Sequence, residues 1–135
     1  ELFSNVKISD QLDKEDVIIV GSSILDVYNL RATTDIDFAI TKENRKIRGY
    51  GKKASKISNN VDIVAQNYSY HNSLRKGKFY PHKISDDNLI YDPIYFCLYR
   101  GFKFCSLKII YDVKKSIGRP KDKKDVNLID NLLLN

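Results

Sequence analysis

The sequence predicts an α+β domain, a small mixed β-sheet with packed helices, and three observations predict it. Val17 to Val20 is a continuous apolar run closed by Gly21-Ser22, as expected of a strand buried on both faces. Thr34 to Thr41 reads as a second strand in which acids and apolar residues alternate. Ile109, Ile110, Val113 and Ile117 recur at helical spacing between Ser106 and Gly118.

Taken in order, Glu1 to Asp16 places Leu2, Phe3, Val6, Ile8 and Leu12 at roughly helical spacing before a charged cluster, which predicts a short helix and a turn. After the first strand, Ser22 to Leu30 sets Ile24, Leu25 and Tyr28 on one helical face. Lys42 to Asn60 is basic, with Ile47, Ala54 and Ile57 allowing helical pieces broken by Gly49 and Gly51. Gly49-Tyr50-Gly51-Lys52-Lys53 lacks the spacing and the Lys-Ser/Thr ending of a Walker loop and reads as a solvated basic face. Val61 to Ala65 is a third strand with Asp62 inside it.

Gln66 to Asp92 is polar and rich in Tyr, Asn, Ser and Lys, with Tyr68, Leu74, Phe79, Tyr80, Ile84, Leu89 and Ile90 as its apolar contacts. His71 and His82 stand too far apart for a helical zinc pair and read as surface residues. Ile94 to Cys105 reads as a hairpin turning at Arg100-Gly101, which would set Cys97 opposite Cys105, as two buried thiols or an oxidisable pair. Ser106 is a good N-cap for a helix from Leu107 to Ile117, ended by Gly118. Pro120 opens a last helix with Val126, Leu128, Ile129, Leu132 and Leu133 as its packing face.

The 135 residues suit one domain, 1–135, and a chain starting at Glu1 reads as a possible excerpt of a longer one. No run approaches the roughly 18 apolar residues of a membrane span, so no membrane partner is expected. Two cysteines and no visible signal peptide point to a reducing cytoplasm. A net charge of +6 suits a polyanionic partner such as a nucleoside triphosphate or RNA, and equally a spread of solvated lysines.

Asp35 and Asp37 share one face of their strand while Ile36 and Phe38 enter the core. Neighbouring carboxylates repel, and a hard divalent cation such as magnesium neutralises them. Gly21 leaves the backbone open to a phosphate, and Ser22 offers a hydroxyl and a helix N-terminal amide. Asp62, within an apolar run, has to be exposed, neutral, or paired with a charge or metal.

Gly21-Ser22, twelve intervening residues and then Asp35-Ile36-Asp37, with Arg31 and Thr34 before it, resembles the nucleotidyltransferases of the DNA polymerase beta superfamily. The segment from Lys114 to Asp125, KKSIGRPKDKKD, is similar to the tail of AbiEii-type members. The resemblance implies a polymerase-beta-like nucleotidyltransferase fold and transfer of a nucleoside monophosphate from an NTP to an acceptor hydroxyl. It implies two magnesium ions on Asp35, Asp37 and a third acid, for which Asp62 fits the order. Gly21 and Ser22, with Lys114 and Lys121, would hold the triphosphate. Asp122 reads as a helix-start stabiliser that orients Arg119 or Lys121, and Asp125 with Lys121 as an i,i+4 surface pair. Arg31 sits where a helix end favours any cation. The acceptor stays open among RNA, protein and a small-molecule hydroxyl. A catalytically silent nucleotide- or RNA-binding module on the same fold is the alternative.

Overall fold

The structure is a computed structural model that describes residues 12–67 and 84–134. The expected helix before Leu12, and the readings of Tyr68, His71, Leu74, Phe79, Tyr80 and His82, lie outside the described residues. The rest forms an α+β arrangement with one six-stranded mixed sheet. Its strands are β1 (Val17–Val20), β2 (Ile36–Ile40), β3 (Ser55–Ser58), β4 (Val61–Ile63), β5 (Phe96–Tyr99) and β6 (Phe102–Cys105).

They lie in the order β3-β4-β2-β1-β6-β5. β1 runs antiparallel to β2 and parallel to β6, and β2 runs parallel to β4. Antiparallel neighbours close both edges, β3 on β4 and β5 on β6. The two central strands are the apolar ones: every residue of β1 is buried, as is every residue of β2 except Asp37. Ile18, Ile24, Leu25, Phe38, Phe104 and Ile129 are among the fully buried side chains of the core.

Helices α1 (Ser23–Val27), α2 (Lys42–Ile47), α3 (Asp86–Tyr91), α4 (Leu107–Ile117) and α5 (Pro120–Leu134), with short 3-10 turns at Lys14–Asp16 and Pro93–Tyr95, complete the described part. α1 packs on β1, α3 on β1 and β2, and α4 on α5. The boundaries of α4 match the sequence reading: Ser106 Oγ accepts from Ile109 N at 3.4 Å, and Gly118 ends the helix at φ 69°. Those of α1 do not. It stops at Val27 because Asn29 turns to φ 58° and Asp26 is drawn off to Thr33, accepting from its amide and hydroxyl at 3.1 and 3.2 Å.

The segment read as helical pieces, Lys42 to Asn60, is one short helix followed by strand β3. Thr41 Oγ1 caps α2 by accepting from Asn44 N at 3.0 Å. What fixes the chain after it is Arg45, 3% exposed, whose guanidinium donates to Gly51 O at 2.8 Å and to the carbonyls of Lys53 and Val64. A cation thus does the work of a core residue, joining the loop after α2 to the end of β4. Arg45→Met is expected to destabilise the protein by about 3 kcal/mol in urea unfolding, since charge-assisted bonds contribute about 1.5–3 kcal/mol each and the loop carbonyls partly recover water. A loss below about 1 kcal/mol would show that the loop holds itself.

Asp86 at the start of α3 has a similar tying role, accepting from Asn67 N at 2.8 Å while Asn67 Oδ1 accepts from Asp86 N at 3.2 Å. The hairpin is present, but its register pairs Cys97 with Phe104 and Cys105 with Phe96. Arg100 and Gly101 both take positive φ, 52° and 81°, the signature of a two-residue type I′ turn, and this turn shifts the expected Cys97–Cys105 pairing by one residue. Both thiols are free; burial raises the pKa of each.

The last helix departs most from expectation. Leu132 and Leu133 are 36% and 71% exposed, while the inward face carries Asp122, Asp125 and Ile129. Two of those three are acids, and they lead to the site. Among the described residues no helix is long and apolar enough to cross a membrane.

Candidate functional site

A cleft of about 350 Å³ opens between the end of β1 and the last two helices. One wall is Gly21, Ser22, the loop 31–35 and Asp37; the other is Ile110, Val113, Lys114 and Ile117 of α4 with Lys121, Asp122 and Asp125 of α5. Of the seven residues singled out from sequence, six line it: Gly21, Ser22, Asp35, Asp37, Lys114 and Lys121. Asp62 does not. It stands beside Asp37 in the parallel register of β2 and β4, with Lys56 Nζ 3.4 Å from its Oδ1.

The strand order explains the acids. Val20 pairs with Asp37, so Gly21 is the residue at which β1 leaves the sheet in front of that carboxylate. Asp35 precedes β2 instead of lying within it, its carbonyl accepting from Ser23 Oγ at 2.9 Å. Asp37 is consequently half-buried among like charges. Burial first, then the negative charges of Asp62 and Asp35, push its pKa up to about 6; Lys56 and Lys114 offset only part of this. The group is held where ionisation is unfavourable unless a cation arrives.

Gly21 is shaped to this carboxylate. Its φ is +77°, and a Cβ there would lie 2.8 Å from Asp37 Oδ2. Gly21→Ala is therefore expected to lower stability by about 1–3 kcal/mol through left-handed strain plus displacement of Asp37. Gly49→Ala separates the two effects, because Gly49 has φ +71° and open space around it. Equal drops in melting temperature for the two variants would mean that the contact with Asp37 contributes nothing.

Opposite the acids lies an ion network the sequence reading did not contain. Lys114 Nζ donates to Ser22 Oγ at 2.9 Å, lies 2.8 Å from Asp125 Oδ2 and 3.6 Å from Asp122 Oδ1. Arg31 grips the same Asp125 with two bonds, at 2.7 and 3.0 Å. Asp122, fully buried, reaches back to Arg119 N at 3.1 Å in the manner of a capping box and also pairs with the Arg119 guanidinium at 2.6 Å. Burial raises the pKa of Asp122 and Asp125, but the bonds from Arg119 to the one, and from Arg31 and Lys114 to the other, outweigh it and hold both below 3.8.

Three readings change accordingly. Asp125 is not half of a surface pair with Lys121: it is 3% exposed and held by Arg31 and Lys114, because α5 turns that face inward. Lys114 is engaged in joining the Gly21-Ser22 turn to α5, whereas Lys121 is exposed on the cleft lining. Ser22 does precede a helix, but one of five residues, and its hydroxyl accepts from Lys114 instead of capping. The Arg31–Asp125 pair spans 94 positions, and no local pattern announces it.

Magnesium, which prefers carboxylate oxygen, fits the donor chemistry of Asp37 and its neighbours, since it would relieve both the burial and the repulsion that raise this pKa. Among the described residues, however, no three His, Cys, Asp or Glu side chains form a ready-made metal group. Compared with known families, curated proteins and solved structures, the chain matches none of them.

Proposed function

We propose that the sheet and its cleft are a polymerase-beta-like nucleotidyltransferase unit that transfers a nucleoside monophosphate from an NTP to an acceptor hydroxyl. The observation that carries the reading is Asp37: a half-buried carboxylate raised to about 6 by burial and by its acidic neighbours, set against the glycine turn on one wall of a cleft whose other wall carries Lys114, Arg119 and Lys121. Asp35, Asp37 and Asp62 would hold two magnesium ions. Bound there, the metal would supply charge neutralisation at the reacting phosphate and a better nucleophile.

This chain's own residues do the rest. Gly21 leaves room for a phosphate beside the backbone. Ser22 accepts a hydrogen bond from Lys114, so its own proton is directed elsewhere and serves as a donor to a phosphate oxygen. Lys121 and Arg119 on the opposite wall bring positive charge to the departing pyrophosphate. Lys114 lends its charge from behind while keeping the two walls at a fixed distance. Asp62 is placed beside Asp37, on the side away from the cleft lining, where it suits proton acceptance from an incoming hydroxyl. Rate enhancement would come from positioning and fixed charge.

A catalytically silent nucleotide-binding module is the second reading, favoured by the lack of a ready-made three-acid group among the described residues. Incubation with magnesium, each alpha-labelled NTP and a cell extract separates the two. Labelled RNA, protein or small molecule that forms with the wild type and not with an Asp35→Ala, Asp37→Ala variant supports transfer. Metal-dependent NTP binding with no labelled product supports the silent module.

A further inference from the structure

We propose that residues 42–56, helix α2 through the first part of strand β3, are a docking surface for an RNA strand. The segment holds seven cations and one acid, so it contains the chain's whole net charge of +6; elsewhere sixteen cations balance sixteen acids. Arg45 is buried and Lys56 lies 3.4 Å from Asp62, so the outward field of this sheet edge comes from the exposed Lys42, Lys46, Lys52 and Lys53, with Glu43 as the one acid of the segment.

The segment is also held in place. Lys42 and Lys46 are both exposed, one helical turn apart on α2. Lys52 and Lys53, also exposed, lie on the loop whose carbonyls are bonded from inside: Gly51 and Lys53 by the buried Arg45, and Lys52 by Gln66 N at 2.8 Å. The interior arginine therefore fixes the backbone from which the outer lysines project. Lys56 extends the row along β3 to Asp62, the neighbour of Asp37. A phosphodiester backbone that neutralises such a row releases its counterions, which supplies sequence-independent affinity. RNA is favoured as the occupant because every nucleotide of it carries a free hydroxyl, and a strand lying along β3 would bring one to the acids. This last point rests on the nucleotidyl-transfer reading; the docking itself does not.

The test is fluorescence anisotropy with a short labelled single-stranded oligoribonucleotide, without NTP or magnesium. A Lys46→Gln, Lys52→Gln, Lys53→Gln variant is compared with a Lys115→Gln, Lys123→Gln, Lys124→Gln variant of equal net charge, all six lysines being exposed. At about 0.1 M salt the first is expected to bind roughly 10- to 100-fold more weakly, with a salt slope lower by about 2, because each lost single-strand phosphate contact removes about 0.7. The second should stay within about threefold of wild type. Equal losses in both variants, or none in the first, overturn the surface. Equal affinity for DNA of the same sequence overturns RNA as its occupant. Since no nucleotide is transferred in this experiment, its failure leaves the transfer reading standing, and a protein inactive in transfer can still pass it.

Discussion

Asp37→Asn is expected to abolish the nucleotidyl transfer proposed above and, at the same time, to make the protein more stable at pH 7. The first effect, a loss of at least about 10²- to 10³-fold, follows from removing a preorganised charge at the reacting centre. The second follows from the direction of the pKa shift. The Asp37 carboxyl is raised from 3.8 to about 6, so between these values the folded protein binds a proton that the unfolded chain has released. Stability is fully present below pH 4 and falls as pH rises towards 6.

Asparagine carries no such charge. The full shift would correspond to about 3 kcal/mol, but the carboxylate is partly exposed, and solvent screening reduces the gain to about 1–2 kcal/mol. Melting temperatures at pH 7 should therefore rise by about 3–8 °C in the variant and coincide with wild type near pH 4. Lower stability of the variant at pH 7 would show that Asp37 is satisfied as it stands, and would remove the main reason for assigning it a cation. Magnesium should stabilise the wild type at pH 7, lose this effect as pH falls below 6, and leave the variant unchanged.

The second large effect lies on the opposite wall. Lys114→Met should destabilise by about 3–5 kcal/mol, the range for removing one partner of a buried ion pair, because Asp122 and Asp125 remain buried with one cation fewer. The depressed pKa values of both acids give stability that is present above 3.8 and lost as pH falls through the folded-state values. The deficit of the variant should accordingly shrink as pH is lowered below 3.8 through the depressed folded-state values, where the acids protonate in the wild type as well. A Lys114→Met, Asp125→Leu double variant should regain more than half of the loss, since Arg31 is exposed enough to return to water. Urea unfolding measures all three proteins; a change under about 1 kcal/mol on losing Lys114 would mean that the cleft walls do not depend on it.

What the sequence made legible divides along physical lines. Elements whose signals are local were readable: the apolar run of β1, the Ser106 cap, the left-handed Gly118 and the proline that opens α5 all act within a few residues. Strand β3 was not, because Ser55 to Ser58 has no apolar run and is held by pairing to β4 and by the loop bonds of Arg45. The hairpin was found but mis-registered, since register depends on the two positive φ angles of its turn more than on composition. Of the site, the residues that follow one another near β1 and β2 could be assembled from spacing. The clasp of Arg31, Lys114 and Asp125 could not, and Asp125 read as a surface charge because nothing near it in the chain shows which way α5 faces.

That clasp bears on the order in which the molecule is assembled. Ser22 and Lys114 are 92 positions apart, and Arg31 and Asp125 are 94. During synthesis from the N-terminus, the glycine turn and the paired acids emerge long before the helices that will face them. Contacts of this span form late, after the loop-closure entropy has been met by the sheet. The cleft thus closes late, and a chain stalled before α4 would display its carboxylates with no wall opposite them.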